Sequence, residues 1–185
     1  NPLTATASGG TVIRLKGSRF INSKHLSVRF SVPYPDGSSE ELLSRYVQFV
    51  SSNEVEVLVP PLENYVELVQ SYGDDDVSQL GIRAYIIVAN NGISYDSDSL
   101  VFRYTEGVII SDINPKVVPE GAEVIVHVCG ASLARDTLCR FGGSIVVPAR
   151  YINDNNIRCA FPHEKLSGIL GRIDIEVSNN GVDFF

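Results

Sequence analysis

The chain of 185 residues carries the same sequence pattern twice, and this repeat constrains its fold more than any other feature. Each copy has an Asn-Pro opening, a strand-like segment that ends in Gly, an Arg-Phe pair, a long apolar block and an Asn-Asn-Gly turn. The long block aligns residues 47–60 with residues 149–162 without a gap. We therefore predict two domains built on one plan, at residues 1–106 and 107–185.

Apolar and polar residues alternate with period two inside these blocks. In the second copy Ile157, Cys159 and Phe161 fall on one side of the chain, and Arg158 falls on the other. This alternation is typical of a strand that is buried on one face. No long amphipathic helix pattern interrupts the strands, so the predicted class is all-β, with two tandem immunoglobulin-like antiparallel β-sandwiches. The Asn-Gly pair in each copy predicts a two-residue hairpin with positive φ at both turn positions.

The two copies differ in how they end. The first continues beyond its Asn-Gly turn into a strand-like segment at residues 99–104, whereas the second stops at Phe185, shortly after its turn. We expect the second sandwich to lack its last strand and further domains of the same chain to flank this segment. About three residues separate the two copies, so we expect the domains to touch.

Taken together, these blocks resemble the IPT/TIG family, the immunoglobulin-like domains of plexins and related receptors. The resemblance rests on the Asn-Pro opening, the Thr-Val-Ile-Arg-Leu-Lys-Gly strand, Cys-Arg-Phe-Gly, Ile-Arg-Cys-Ala-Phe-Pro and Ser-Asn-Asn-Gly-Val-Asp-Phe. It covers nearly the whole chain and is stronger in the second copy. The resemblance implies a non-catalytic sandwich that needs no cofactor. Because the family serves cell-surface receptors, transcription factors and bacterial surface proteins, it does not by itself define a function.

Two of the three cysteines replace two valines of the first copy. Cys139 aligns with Val28, and Cys159 aligns with Val57. A valine pair fills the space that a disulfide bridges, so we predict a bond between Cys139 and Cys159 that joins the two sheets. Two buried free thiols are the alternative. A bonded pair favours an oxidising compartment.

The third cysteine, Cys129, aligns with Lys16 and has no evident partner. It either faces a sheet edge or pairs outside this segment.

Composition argues against several other functions. The net charge is −7 and both halves are acidic, with 8 basic and 13 acidic residues before Gly107 and 7 and 9 after it. Nucleic-acid binding is therefore not expected. No apolar run is long enough to insert into a membrane. His25, His127 and His163 are scattered, no Gly-x-Ser-x-Gly motif is present, and Trp is missing as a platform for sugar stacking. We predict no enzyme activity and no metal centre.

Two acidic groups remain open to a second interpretation. Residues Asp74 to Asp76, and the pair Asp96 and Asp98, contain clustered oxygen ligands of the kind that calcium takes. Neither group follows the spacing of a known calcium loop, and solvated acidic loops are the preferred interpretation.

The first copy contains two insertions that the second lacks, of about nine residues before Val47 and about thirteen after Pro60. In the second insertion Leu62, Val66 and Val69 are spaced as in one or two helical turns. Strand order places both insertions at one end of the sandwich, where we expect them to meet the second domain. The candidate interface or interdomain residues are Tyr34, Tyr65, Tyr72, Leu133 and Arg135.

The leading functional prediction is a non-catalytic domain pair from a larger, extracellular or cell-surface protein that recognises or adheres to another protein. Tyrosine suits such contacts because it supplies apolar area with a polar tip. The alternative is a structural spacer in an extended domain array, including an intracellular scaffold of the cytoskeletal or ciliary kind.

Overall fold

A computed structural model describes residues 3–73 and 81–185. The Asn1-Pro2 opening and the Asp74–Asp76 calcium candidate lie outside the described residues. The chain divides into two compact units, residues 1–106 and residues 107–185. No helix within the described ranges is long and apolar enough to cross a membrane.

Unit 1 is a sandwich of a five-stranded and a three-stranded sheet. The larger sheet has the order β1-β8-β7-β3-β4, and the smaller sheet has the order β2-β6-β5. All neighbouring strands are antiparallel except β1 and β8, which pair in parallel. The elements are β1 (Thr4–Thr6), β2 (Val12–Lys16), β3 (Ser27–Pro33), β4 (Ser39–Leu43), β5 (Val47–Ser51), β6 (Glu54–Leu58), α1 (Tyr65–Tyr72), β7 (Ile82–Ala89) and β8 (Leu100–Thr105).

Unit 2 uses one long strand to connect its two layers. The first half of β12 pairs with β11, and its second half pairs with β13. The strand order is β14-β11-β12-β13-β10-β9. In unit 1 the segment that matches β12 forms two separate strands. β4 pairs with β3, and β5 pairs with β6. The elements of unit 2 are β9 (Ile109–Asn114), β10 (Ile125–Ala131), β11 (Leu138–Phe141), β12 (Ile145–Asn153), β13 (Asn156–Ala160), a 3₁₀ helix (His163–Leu166) and β14 (Ile175–Ser178).

The fold class predicted from the alternation is confirmed, since regular structure is almost entirely strand and strands β3, β6 and β13 bury alternate residues. In unit 2 the last strand is β14, and only Phe185 continues alongside it. The backbone of Phe185 exchanges two hydrogen bonds with Val177, both of 3.0 Å.

The aligned valines and cysteines occupy matching core positions. Val28 on β3 and Val57 on β6 belong to opposite sheets of unit 1 and are both fully buried in one core cluster. In unit 2 a disulfide joins Cys139 on β11 to Cys159 on β13, with 6.3 Å between the Cα atoms. Strands on either side of a third strand in a flat sheet lie about 9.6 Å apart. The shorter distance shows that β11 and β13 face each other across the core.

The prediction of a two-residue hairpin at the Asn-Gly pairs is wrong. Gly92 and Gly181 have positive φ, of 72° and 74°, but neither Asn91 nor Asn180 does. Instead, the side-chain oxygen of Asn180 accepts hydrogen bonds from the backbone N–H groups of Val182 and Asp183, and Asn91 makes the matching bonds in unit 1. The asparagine therefore closes a longer loop through its side chain.

The helical turns expected in the second insertion exist as α1, but the buried face differs from the prediction. Leu62 is buried just before the helix, and Leu68 is the buried residue within it. Val66, placed on the buried face by the spacing, is 64% exposed. The helix begins at Tyr65, after Leu62, so Leu62 does not share the helical phase of Val66.

We expect alkaline pH to weaken unit 1 through Tyr104. This tyrosine is fully buried, its hydroxyl donates a hydrogen bond to the carbonyl oxygen of Pro60 at 3.0 Å, and burial raises its pKa above the ordinary value of about 10. The neutral phenol therefore contributes stability below about pH 10, which is lost as the pH rises through the raised pKa. Urea unfolding between pH 7 and pH 11 measures the effect. Tyr104→Phe should lose less stability over this range than the unmodified chain; equal losses would contradict this assignment.

Candidate contact surface

The two insertions of unit 1 meet and are joined by tyrosine hydroxyl groups. The hydroxyl of Tyr34 donates to the carboxylate of Glu40 at 2.6 Å and accepts a bond from the side-chain amide of Asn64 at 2.7 Å. The hydroxyl of Tyr72 donates to the carbonyl oxygen of Pro33. We call this group, with Tyr65, the tyrosine cluster. Its bonds join the β3–β4 hairpin to the segment that contains α1.

The tyrosine cluster is partly buried and electrically neutral near pH 7. Tyr34, Tyr65 and Tyr72 all pack against the core of unit 1 while remaining partly accessible. The hydrogen bond to Glu40 raises the pKa of Tyr34, and burial raises the pKa of Tyr65 and Tyr72. The phenols therefore act as hydrogen-bond donors with apolar rings, a combination that is enriched in protein interfaces.

Part of α1, which runs from Tyr65 to Tyr72 of the tyrosine cluster, is exposed to solvent. Val66 presents an apolar side chain to solvent, and Glu67 lies beside it in sequence. Leu43, at the end of β4, is also exposed. These residues are among those of the insertions that another molecule can reach without displacing the core.

The two candidates in unit 2 have different environments. Leu133 is only 4% exposed and packs in the core of unit 2. Core packing is therefore a sufficient reason for an apolar side chain at this position of the loop. Arg135 is exposed, and its guanidinium lies over the ring of Tyr151 at 5.2 Å. Of these two side chains, only Arg135 is available to a partner.

In each unit an arginine packs on an aromatic ring of one loop. This loop follows β7 in unit 1 and β14 in unit 2. The guanidinium of Arg29 lies 4.1 Å from the ring centre of Tyr95, and that of Arg140 lies 4.0 Å from the ring centre of Phe184. Arg140 also pairs with Glu176 at 2.7 Å, which lowers the pKa of this carboxyl. The Arg-Phe motif of the repeat thus includes a contact to the Asn-Asn-Gly loop in each unit.

Cys129 is partly exposed on β10, and its thiol lies 3.3 Å from the side-chain oxygen of Asn156. Within residues 3–73 and 81–185, no cluster of three histidine, cysteine, aspartate or glutamate side chains is placed to hold a metal ion. Asp96 and Asp98 belong to this described part of the chain.

The two-layer sandwiches and their repeated loop contacts place this chain in the immunoglobulin-like class. Residues 109–184 match the family model of the IPT/TIG domain, which confirms for this part of the chain the resemblance read from the sequence. The matched residues do not include unit 1.

Two solved structures of the full extracellular region of plexin A4 are similar to this chain. One is 16% identical with a TM-score of 0.51, covering 95% of this chain and 14% of the plexin chain. The other is 13% identical with a TM-score of 0.41, covering 97% of this chain and 16% of the plexin chain. The chain thus spans about one seventh of the plexin region, and the first similarity is one of fold alone. A comparison with curated proteins found no significant match.

Proposed function

We propose that this chain is a non-catalytic recognition segment of a larger, cell-surface protein, and that unit 1 is a diverged IPT/TIG domain beside the one in unit 2. The observation that carries the proposal is the ordered meeting of the two insertions in unit 1. Loose surface insertions cost a fold little, whereas these are joined by hydrogen bonds through Tyr34 and Tyr72. Binding surfaces are commonly loops held on a rigid sandwich.

The disulfide in unit 2 supports an extracellular location, because such bonds persist in oxidising compartments. The plexin regions with a similar strand arrangement are described as extracellular. The proposed partner is another protein, contacted through the tyrosine cluster and the exposed face of α1.

A structural spacer is the second candidate. It is favoured by the internal use of the phenol groups, since Tyr34 and Tyr72 donate their hydrogen bonds within unit 1. A spacer would require the insertions to be ordered but would not require Val66 to remain exposed.

Substitution of Val66 separates the two candidates. A fluorescent multimer of the full chain should bind saturably to cells of its source, and Val66→Asp should weaken this binding about tenfold, because it places a charge in an apolar contact. Val117→Asp is the matched control, since Val117 is 81% exposed in unit 2. Equal effects of the two substitutions, or no saturable binding, would reject the recognition surface and favour the spacer.

A further inference from the structure

Three basic side chains form a row across the outer face of unit 2. Arg150 on β12 lies directly opposite Arg158 on β13, and Arg158 lies directly opposite His127 on β10. Their neighbours along β13 and β10, such as Cys159 and Val128, point into the core, so the row faces solvent. Adjacent strands are about 4.8 Å apart, and the row therefore spans roughly 10 Å.

The matching row in unit 1 carries a different set of charges. Its members are Gln48, Glu56 and Arg14, which are directly opposite one another on β5, β6 and β2. Arg14 forms an ion pair with Glu56 at 2.8 Å, with a further hydrogen bond of 2.9 Å from its Nε atom. The central position thus holds a neutralising glutamate in unit 1, whereas unit 2 has Arg158 between another arginine and a histidine.

The basic row has no neutralising partner within the described part of the chain. Among the described residues, the side chains of Arg150 and His127 take part in no ion pair or hydrogen bond, and the buried Nε atom of Arg158 lacks an acceptor. On the neighbouring strand β9, Asp112 lies directly opposite Cys129, two residues along β10 from His127. Asp112 forms an ion pair with Lys116 at 2.7 Å. Like charges directly opposite each other destabilise a sheet. An external anion bound along the row would offset this repulsion.

We propose that the basic row of Arg150, Arg158 and His127 binds a sulfated polysaccharide. Guanidinium groups match oxyanions because their N–H donors form a planar fork, and two neighbouring forks suit one sulfate group. The row is linear, with Arg150 and His127 exposed at its two ends, so it fits a chain that carries repeated sulfate groups. It does not require the tryptophan platform that stacks neutral sugars.

The surroundings of the row favour a polysaccharide over an acidic protein segment. Protein interfaces centre on buried apolar or aromatic anchors. The residues that flank the row on its face are Asn114, Cys129, Asn156 and Ala160, with two large apolar side chains, Ile125 on β10 and Ile152 on β12, separated from each other by β13. Binding would therefore depend on charge and fall with added salt. This inference is independent of the contact surface on unit 1.

Calorimetric titration of the full chain with a heparin hexasaccharide tests the proposal. We expect affinity to fall roughly tenfold between about 50 mM and about 200 mM salt, and desulfated heparin not to bind. Arg158→Glu, which restores the unit 1 arrangement, should weaken binding at least about tenfold. Lys24→Glu is the matched control, because it changes an exposed lysine of unit 1 by the same charge.

A transfer experiment provides the reverse test. Adding Glu56→Arg to the Arg158→Glu variant places a cation beside Arg14 in the matching row of unit 1 and should recover binding. Equal losses from Arg158→Glu and Lys24→Glu would show that the row is not the site. Equal affinity for a glutamate-rich peptide would overturn the polysaccharide class, and binding that does not respond to salt would overturn the charge mechanism. If the variants melt at the same temperature as the unmodified chain, a loss of binding is not caused by misfolding.

Discussion

Replacing Cys139 and Cys159 together with alanine should lower the free energy of unfolding of unit 2 by about 3 kcal/mol, before any loss of packing is counted. The bond closes a loop with a sequence separation of 20 residues, and the chain-entropy relation gives that magnitude for such a loop. Both cysteines are fully buried, so alanine also leaves unfilled space. Scanning calorimetry should show one transition lowered and the transition of unit 1 unchanged.

The valine pair of unit 1 supplies the control for this experiment. Cys139→Val combined with Cys159→Val copies the Val28 and Val57 arrangement and should recover most of the packing but not the loop constraint. The double alanine variant should therefore be less stable than the double valine variant, and both less stable than the disulfide-bonded chain. If reduction of the unmodified chain leaves the transition of unit 2 in place, the disulfide does not stabilise this unit.

Phe30→Ala should be among the most damaging single substitutions in unit 1, at a cost of about 3–5 kcal/mol. The Phe30 side chain is fully buried, with its ring centre 5.4 Å from that of Phe102 and 6.2 Å from that of Tyr104. Phe102 and Tyr104 are themselves in edge contact at 5.3 Å. Removing one ring leaves a cavity that two rigid aromatic neighbours fill poorly.

Calorimetry and urea unfolding measure this effect, with Val117→Ala as an exposed control that should change stability by less than about 0.5 kcal/mol. Phe30→Ala should lower the transition that the cysteine variants leave unchanged. If Phe30→Ala and the cysteine variants lower the same transition equally, the two cores are not separate folding units.

Much of the fold could be predicted because its signals are local or repeated. Alternation at Ile157 and Cys159 indicates a one-sided strand from the immediate sequence alone. Alignment of the two copies then pairs Val28 with Cys139 and Val57 with Cys159, which places the disulfide across the core before any coordinates are known. The turn was predicted less well, because Asn91 and Asn180 act through side-chain hydrogen bonds and not through positive φ.

The candidate sites depended more on the tertiary structure. The tyrosines of the insertions can be selected by residue type, but their joining required Asn64 to meet Tyr34, 30 residues away. The basic row was missed, although the repeat already aligns Arg158 with Glu56. Arg150, Arg158 and His127 come together only through strand register.

The sequence by itself determined the repeat, the sandwich class and the paired core positions, because alternation and internal similarity are properties of neighbouring or aligned residues. Only the tertiary structure decided which distant polar side chains meet. Pairing between strands is a non-local choice, and a shift of one residue would turn Arg158 from the solvent face to the core.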